Sequence, residues 1–136
     1  MAMTGGCYCG AVRFEAEGPI QFKGQCLCHT CQKLSGGLGN LFFVVGADSF
    51  HYVQGAPKNF RKQADTPLRE FCGECGTPLT ARSHRAPGMV LVKVGALDDP
   101  AAFDGPGGVF WTSEKQAFHH LPPDVPAHAS LPGRSA

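Results

Sequence analysis

The amino-acid sequence predicts a mainly β fold pinned by bound metal, and three observations carry that prediction. Eighteen Gly and eleven Pro in 136 residues favour many tight turns over long helices. Several short segments alternate apolar and polar residues with period two, as half-buried strands do. Seven Cys fall into three short groups, Cys7-Tyr8-Cys9, Cys26-Leu27-Cys28-His29-Thr30-Cys31 and Cys72-Gly73-Glu74-Cys75, whose spacings suit metal ligation better than disulfides. A chain of this length makes about one domain. The expected domain spans residues 1–120, and the Pro-rich stretch 121–136 reads as an extended tail without a core of its own.

Taken in chain order, Gly5-Gly6-Cys7-Tyr8-Cys9-Gly10 is a glycine-bracketed knuckle whose small residues let backbone amides approach the two sulfurs. A strand is predicted over 11–17, with Val12 and Phe14 toward a core and Arg13 and Glu15 toward water, stopped by Gly18-Pro19. A second strand over 20–25 is expected to pair with it as a hairpin and to deliver the three-thiol loop. Residues 32–37 read as one helical turn closed by glycine. Further strands are predicted at 41–45, buried on both faces, and at 49–54, where Phe50 and Tyr52 oppose His51 and Val53. Shorter ones follow at 59–62, 68–71, 79–82, 89–94 and 109–111. The strand at 68–71 runs straight into Cys72, as in half of a zinc ribbon.

Charge and hydropathy narrow the function. A net charge of +1 with 17% charged residues gives no electrostatic footprint for nucleic acid or an acidic membrane. No stretch is apolar enough to span a bilayer, and Met1-Ala2-Met3-Thr4-Gly5-Gly6 lacks a signal core. The expectation is a soluble cytoplasmic protein, in which thiols stay reduced.

The chemistry lies in the cysteines. Cys26, Cys28 and Cys31, at the first, third and sixth positions of one loop, supply three of the four ligands of tetrahedral zinc and leave one position open. Cys7, Cys9, Cys72 and Cys75 together would close a four-thiolate site. Four plus three predicts two zinc ions per chain, one structural and one available to chemistry. Three thiolates already make the second site negative, and soft sulfur favours a fourth sulfur, so a thiol suits the open position better than water. Zinc would hold that thiol as a thiolate at neutral pH.

A different reading closes the triplet with His29, His51 or His84 and makes both sites structural. His119 and His120, adjacent and ahead of the Pro-rich stretch, read as solvated residues without a role. Trp111 and Phe118 read as core or groove packing. Lys33, two residues from Cys31, is the cation that spacing places near the metal, where it could meet a carboxylate of a peptide thiol such as glutathione. Arg61, Lys62 and Arg69 could do the same or be solvated strand residues.

The motifs Gly5-Gly6-Cys7-Tyr8-Cys9-Gly10-Ala11-Val12, Cys26-Leu27-Cys28-His29-Thr30-Cys31-Gln32-Lys33 with Gly36-Gly37, Phe71-Cys72-Gly73-Glu74-Cys75-Gly76-Thr77 and Gly95-Ala96-Leu97-Asp98 resemble one family. It is the family of glutathione-dependent formaldehyde-activating enzymes and centromere protein V, and the resemblance covers nearly the whole chain. It implies a β-tent of twisted antiparallel sheets pinned by zinc. It makes Cys7, Cys9, Cys72 and Cys75 the structural ligands, and Cys26, Cys28 and Cys31 the active-site ligands of a zinc linked to thiol chemistry. The implied activity is that of a carbon-sulfur lyase binding glutathione or a related thiol and acting on thiol–aldehyde adducts of the S-hydroxymethylglutathione kind. The centromere protein V side of the resemblance implies instead a non-catalytic zinc module that binds another protein. A Cys-x-x-Cys redox role would leave five cysteines unused. Two positions depart from the pattern. Phe118-His119-His120 stand where a second Trp is frequent, and Gln32 follows the third active-site Cys where a basic residue is usual.

Overall fold

A computed structural model describes residues 2–131. The chain forms two compact units, Met1–Phe22 with Phe43–Asp104 and Lys23–Phe42 with Gly105–Ala136. The last part of the expected tail, residues 132–136, lies outside the described residues. The fold is mainly β, as predicted.

In the first unit, strand β2 (Arg13–Ala16) is the middle of a three-stranded antiparallel sheet, between β1 (Met3–Gly6) and β5 (Phe50–Gln54). The register sets Gly5 opposite Phe14, and Phe14 opposite Tyr52. Both edges of β2 are thus taken by β1 and β5, and the hairpin expected across Gly18-Pro19 is replaced by this pairing. Nothing in the sequence predicts β1, because its residues, Met3-Thr4-Gly5-Gly6, carry no apolar alternation. Contact explains its glycine. A Cβ on Gly5 would lie 2.3 Å from the Ala96 carbonyl oxygen and 2.5 Å from the Phe14 ring, so only a bare backbone fits.

The same unit contains a second run of strands in the order β4-β9-β8-β7-β6, where β4 is Asn40–Gly46, of which residues 43–46 belong to this unit, β6 Lys58–Phe60, β7 Leu68–Phe71, β8 Pro78–Arg82 and β9 Met89–Lys93. These match the predicted strands within one to two residues. The main apolar cluster lies wholly in this unit. Phe14, Phe43, Val45, Leu79, Val90 and Val92 are its fully buried members besides Cys72, and each of the six contributes about 1.5–3 kcal/mol by leaving water. Val12 and Phe14 face this core, as the period-two pattern requires. Cys7 and Cys72 belong to the cluster too, so its metal-ligand candidates begin inside the core.

In the second unit, β3 (Phe22–Cys26) pairs in parallel with β10 (Val109–Phe110), Gln25 opposite Val109 and Cys26 opposite Phe110. Leu27 N continues the ladder by donating to Phe110 O at 2.9 Å. The other edge of β10 is lined by residues 126–129. Val109 bridges Ala127, His128 N donates to Val109 O at 2.8 Å, and the His128 ring stacks on Phe110 with centroids 5.2 Å apart. Leu27 and Val109 are fully buried.

Helix α1 spans His29–Leu34 and starts earlier than the predicted turn at 32–37. Its N-cap is Cys28, whose sulfur accepts from Cys31 N at 3.4 Å. A thiol is absent from the usual capping residues, which is why the start was hidden in the sequence. Lys33 in the last turn suits the negative end of the helix dipole.

Candidate functional site

The first thiol cluster is built from two knuckles. Cys7 follows β1 and starts a tight turn, in which Gly10 N donates to Cys7 O and Cys7 N donates to Val12 O, at 3.2 and 3.0 Å. Cys72 follows β7 and starts a second turn, closed by Gly76 N donating to Cys72 O at 2.8 Å and Cys72 N donating to Thr77 O at 3.0 Å. Cys7, Cys9, Cys72 and Cys75 converge so that their sulfurs all lie within 4.8 Å of one another. The Cys7–Cys9 and Cys9–Cys72 sulfur separations are 3.6 and 3.8 Å. Four sulfurs about 2.3 Å from a tetrahedral zinc stand about 3.8 Å apart. The cluster therefore has the size of the ion it was predicted to hold.

Backbone donors complete this cluster. Val12 N donates to Cys7 Sγ at 3.2 Å, and Glu74 N and Cys75 N donate to Cys72 Sγ at 3.4 and 3.5 Å. Such amides favour the charged form of sulfur. Thr77 joins the knuckles, accepting from Tyr8 N at 3.0 Å and lying 3.1 Å from Cys75 Sγ. Its hydroxyl, then its amide, hold the Cys75 thiol down at about 6. Burial opposes ionisation of Cys7, yet the Val12 amide and the neighbouring thiols lower it. Cys9 has help from the Ala11 amide, but crowding by Cys7 pushes it up to about 12.

The second cluster lies on β3 and α1. Cys26 ends β3, Cys28 caps α1 and Cys31 sits in its first turn, and the three sulfurs lie within 4.8 Å of one another. All three are free and half-buried. Hydrogen bonds from Cys26 and then Cys31 lower the Cys28 thiol to about 2, aided by the amides of Cys31 and Thr30. The cost falls on the donors. Cys26 is raised to about 11 by Cys28, and Cys31 is driven up by Cys26, Cys28 and burial. One negative sulfur beside two protonated ones is what a crowded triplet does without a cation. A divalent soft metal would let all three ionise.

Among the described residues no His, Asp or Glu joins this triplet. His29 is exposed, and its ring Nδ1 lies 3.9 Å from Glu114 Oε1. His51 lies on β5 opposite Glu15, and His84 lies in an exposed turn after β8. None of the three closes the site. Lys33 is exposed on α1.

Several residues beside the triplet were not found by sequence reasoning. Glu114 Oε1 accepts from His29 N at 2.8 Å, and Gln32 Nε2 donates at 2.8 Å to both Leu27 O and Glu114 O. Just before Glu114 the backbone of Trp111 is left-handed, with φ of 60°. For an aromatic residue this conformation costs about 1–3 kcal/mol. His119 overturns its reading as a solvated residue. It is buried, accepts from Gln116 N at Nδ1 (2.8 Å), and with Nε2 then carrying the proton donates to Gly37 O at 2.7 Å. His120 is exposed. Both histidines, with Gln25, Leu38, Gly39, Leu41 and the exposed Phe118, line an open cavity of about 310 Å³. Phe118 is thus a groove residue. No local pattern marks His119 or Glu114, because Gly37 and His29, the partners that tie them to the segment around α1, lie more than eighty residues away.

Residues 2–114 match the sequence pattern of the family described as Glutathione-dependent formaldehyde-activating enzyme. A Halomonas elongata protein that carries this family's name is 31% identical over 105 residues, covering 72% of this chain and 67% of the relative. The crystal structure of a Rhodobacter sphaeroides protein, 23% identical, superposes with a TM-score of 0.63 over 76% of this chain and 97% of that one, and shares the fold.

Proposed function

Because this chain belongs to the glutathione-dependent formaldehyde-activating enzyme family, we propose that its three-thiol cluster is the reactive site of a zinc-dependent carbon-sulfur lyase. Its substrates are adducts of glutathione, or a related thiol, with a small aldehyde. The observation that supports this most is the incomplete ligand set, three sulfurs within 4.8 Å and no fourth His, Asp or Glu among the described residues. A zinc ion bound there supplies Lewis acidity that stabilises a thiolate at neutral pH.

The chain's own residues then have distinct roles. Cys26, Cys28 and Cys31 would hold the ion and leave its fourth position to the thiol. Cys7, Cys9, Cys72 and Cys75 hold a second zinc that ties two turns of the first unit. Lys33, exposed on the same short helix as Cys31, meets a carboxylate of glutathione. In the lyase direction the hydroxyl proton of the adduct passes to solvent water, the O–H bonding pair forms the carbonyl, and the C–S bonding pair returns to sulfur as the thiolate. In the reverse direction the thiolate adds to the aldehyde carbon and the oxygen takes up a proton. Seven free thiols agree with a reducing compartment, and we place the protein in the cytoplasm. No helix among the described residues is long and apolar enough to cross a membrane.

Cobalt substitution tests the proposal. The sulfur charge-transfer band of the cobalt protein is expected to change on adding glutathione and to respond far less to S-methylglutathione, which has no ionisable thiol. Lys33→Ala is expected to weaken glutathione more than a small thiol without carboxylates. A cobalt spectrum indifferent to every thiol, with both clusters loaded, would move the protein to the class of non-catalytic zinc modules.

A further inference from the structure

The three thiols come from two elements, and their mutual distances depend on how α1 is set against the end of β3. One side chain ties these directly. The Gln32 amide follows Cys31 in sequence, and its two N–H groups have separate acceptors, Leu27 O and Glu114 O, each at 2.8 Å. Leu27 O belongs to the peptide between Cys26 and Cys28. The bond therefore closes a ring from the third thiol back to the link between the first two. The second bond reaches Glu114, whose carboxylate accepts from His29 N on the first turn of the same helix. Glu114 thus receives α1 twice, once through its main chain and once through its side chain. The left-handed backbone at Trp111 marks the place where the chain turns into the segment that does this.

We propose that Gln32 and Glu114 are positioning residues for the three-thiol site, acting as a clamp that sets the angle of α1 and hence the separation of Cys31 from Cys26 and Cys28. A neutral amide suits the task. Its two N–H groups fill two carbonyl acceptors at once, one beside the first two thiols and one at Glu114. Glutamate at this position would lose both donors and turn an acceptor toward two carbonyls. The inference rests on the reading of the triplet as a metal site and deepens it.

The test compares Gln32→Leu, which keeps bulk and removes both donors, with Gln32→Arg, which keeps donors. Cobalt affinity at each cluster is measured by competition with a chromophoric chelator, and folding by circular dichroism. Loss of a hydrogen-bonded support around metal ligands weakens metal affinity about 10- to 100-fold. Gln32→Leu is expected to show such a loss at the three-thiol cluster alone, with a shifted ligand-field spectrum there. The four-thiol cluster, whose ligands lie in the other unit, should keep its ion at unchanged affinity. Gln32→Arg should retain most of the triplet's affinity. Wild-type affinity at the triplet in Gln32→Leu would overturn the clamp while leaving the site intact. So would equal loss in both variants, since retained donors would then have preserved nothing. A weakening of both clusters together would reduce Gln32 to general stability and overturn the clamp as well. A wild-type protein that binds cobalt only at the four-thiol cluster would take down this inference together with the proposed function.

Discussion

Cys7 and Cys72 are buried members of the main apolar cluster, whereas Cys26, Cys28 and Cys31 are all half-buried and stand on a strand end and a six-residue helix. The surroundings, not the ligand atom, separate the two groups. Around the first, amides of Val12, Glu74 and Cys75 and the Thr77 hydroxyl approach the sulfurs, and two knuckles distant in sequence complete the set. Around the second, the thiols mainly bond one another, leaving one sulfur strongly ionised and two protonated. A saturated set of four, two of them anchored in the core and Cys9 at the surface, favours a permanent ion. A partly exposed set of three favours exchange at a fourth position.

Removing one thiol from each cluster breaks this comparison most sharply. Structural zinc contributes on the order of 10 kcal/mol in small domains, as much as a whole domain's net stability. Cys72→Ser is expected to yield insoluble protein or to abolish the cooperative unfolding transition seen by circular dichroism. Cys28→Ser should fold, carry one zinc by elemental analysis and no longer bind glutathione. Comparable damage from both substitutions would make both clusters structural.

A backbone substitution sharpens the comparison at smaller amplitude. Gly39 has φ of +90°, and a Cβ there would lie 2.7 Å from both the Cys26 carbonyl oxygen and Leu27 Cδ2. Gly39→Ala should therefore strain the second unit by about 1–3 kcal/mol. In a chelator titration the triplet ion is expected to leave earlier than in the wild type, with release of the four-thiol ion unmoved. Unchanged release at both clusters would show that β3 and its thiols tolerate the displacement.

The smallest effect belongs to the first unit and depends on pH. Arg13 NH2 and NH1, then the Thr4 hydroxyl, bond Asp98 and hold its carboxyl at about 2, below the ordinary 3.8. A carboxyl with a depressed folded-state value stabilises the fold fully above its ordinary value and loses that contribution as pH falls through its folded value. Asp98→Asn should lower the urea midpoint slightly at pH 7, and the difference from wild type should shrink between pH 4 and pH 2. A difference that persists at pH 2 would show that shape rather than charge holds this contact.

Much of the molecule was legible in the order of its residues. Cysteines two or three positions apart cannot stray far from one another, so each short group announces a local sulfur cluster. The joining of Cys7 and Cys9 with Cys72 and Cys75 followed from counting, four ligands for a closed site, and the structure brings those sulfurs together. Period two located Phe14 and Phe50 in strands because side-chain direction in a strand is a property of adjacent residues. Only the tertiary structure decided the rest. Which strand lies beside β2, why Gly5 must lack a Cβ, and how Gln32, Glu114 and His119 tie down the segments around α1 all depend on groups far apart in the chain. Their meeting is set by sheet register and by the need to satisfy every buried donor and acceptor. No short window of sequence contains both partners.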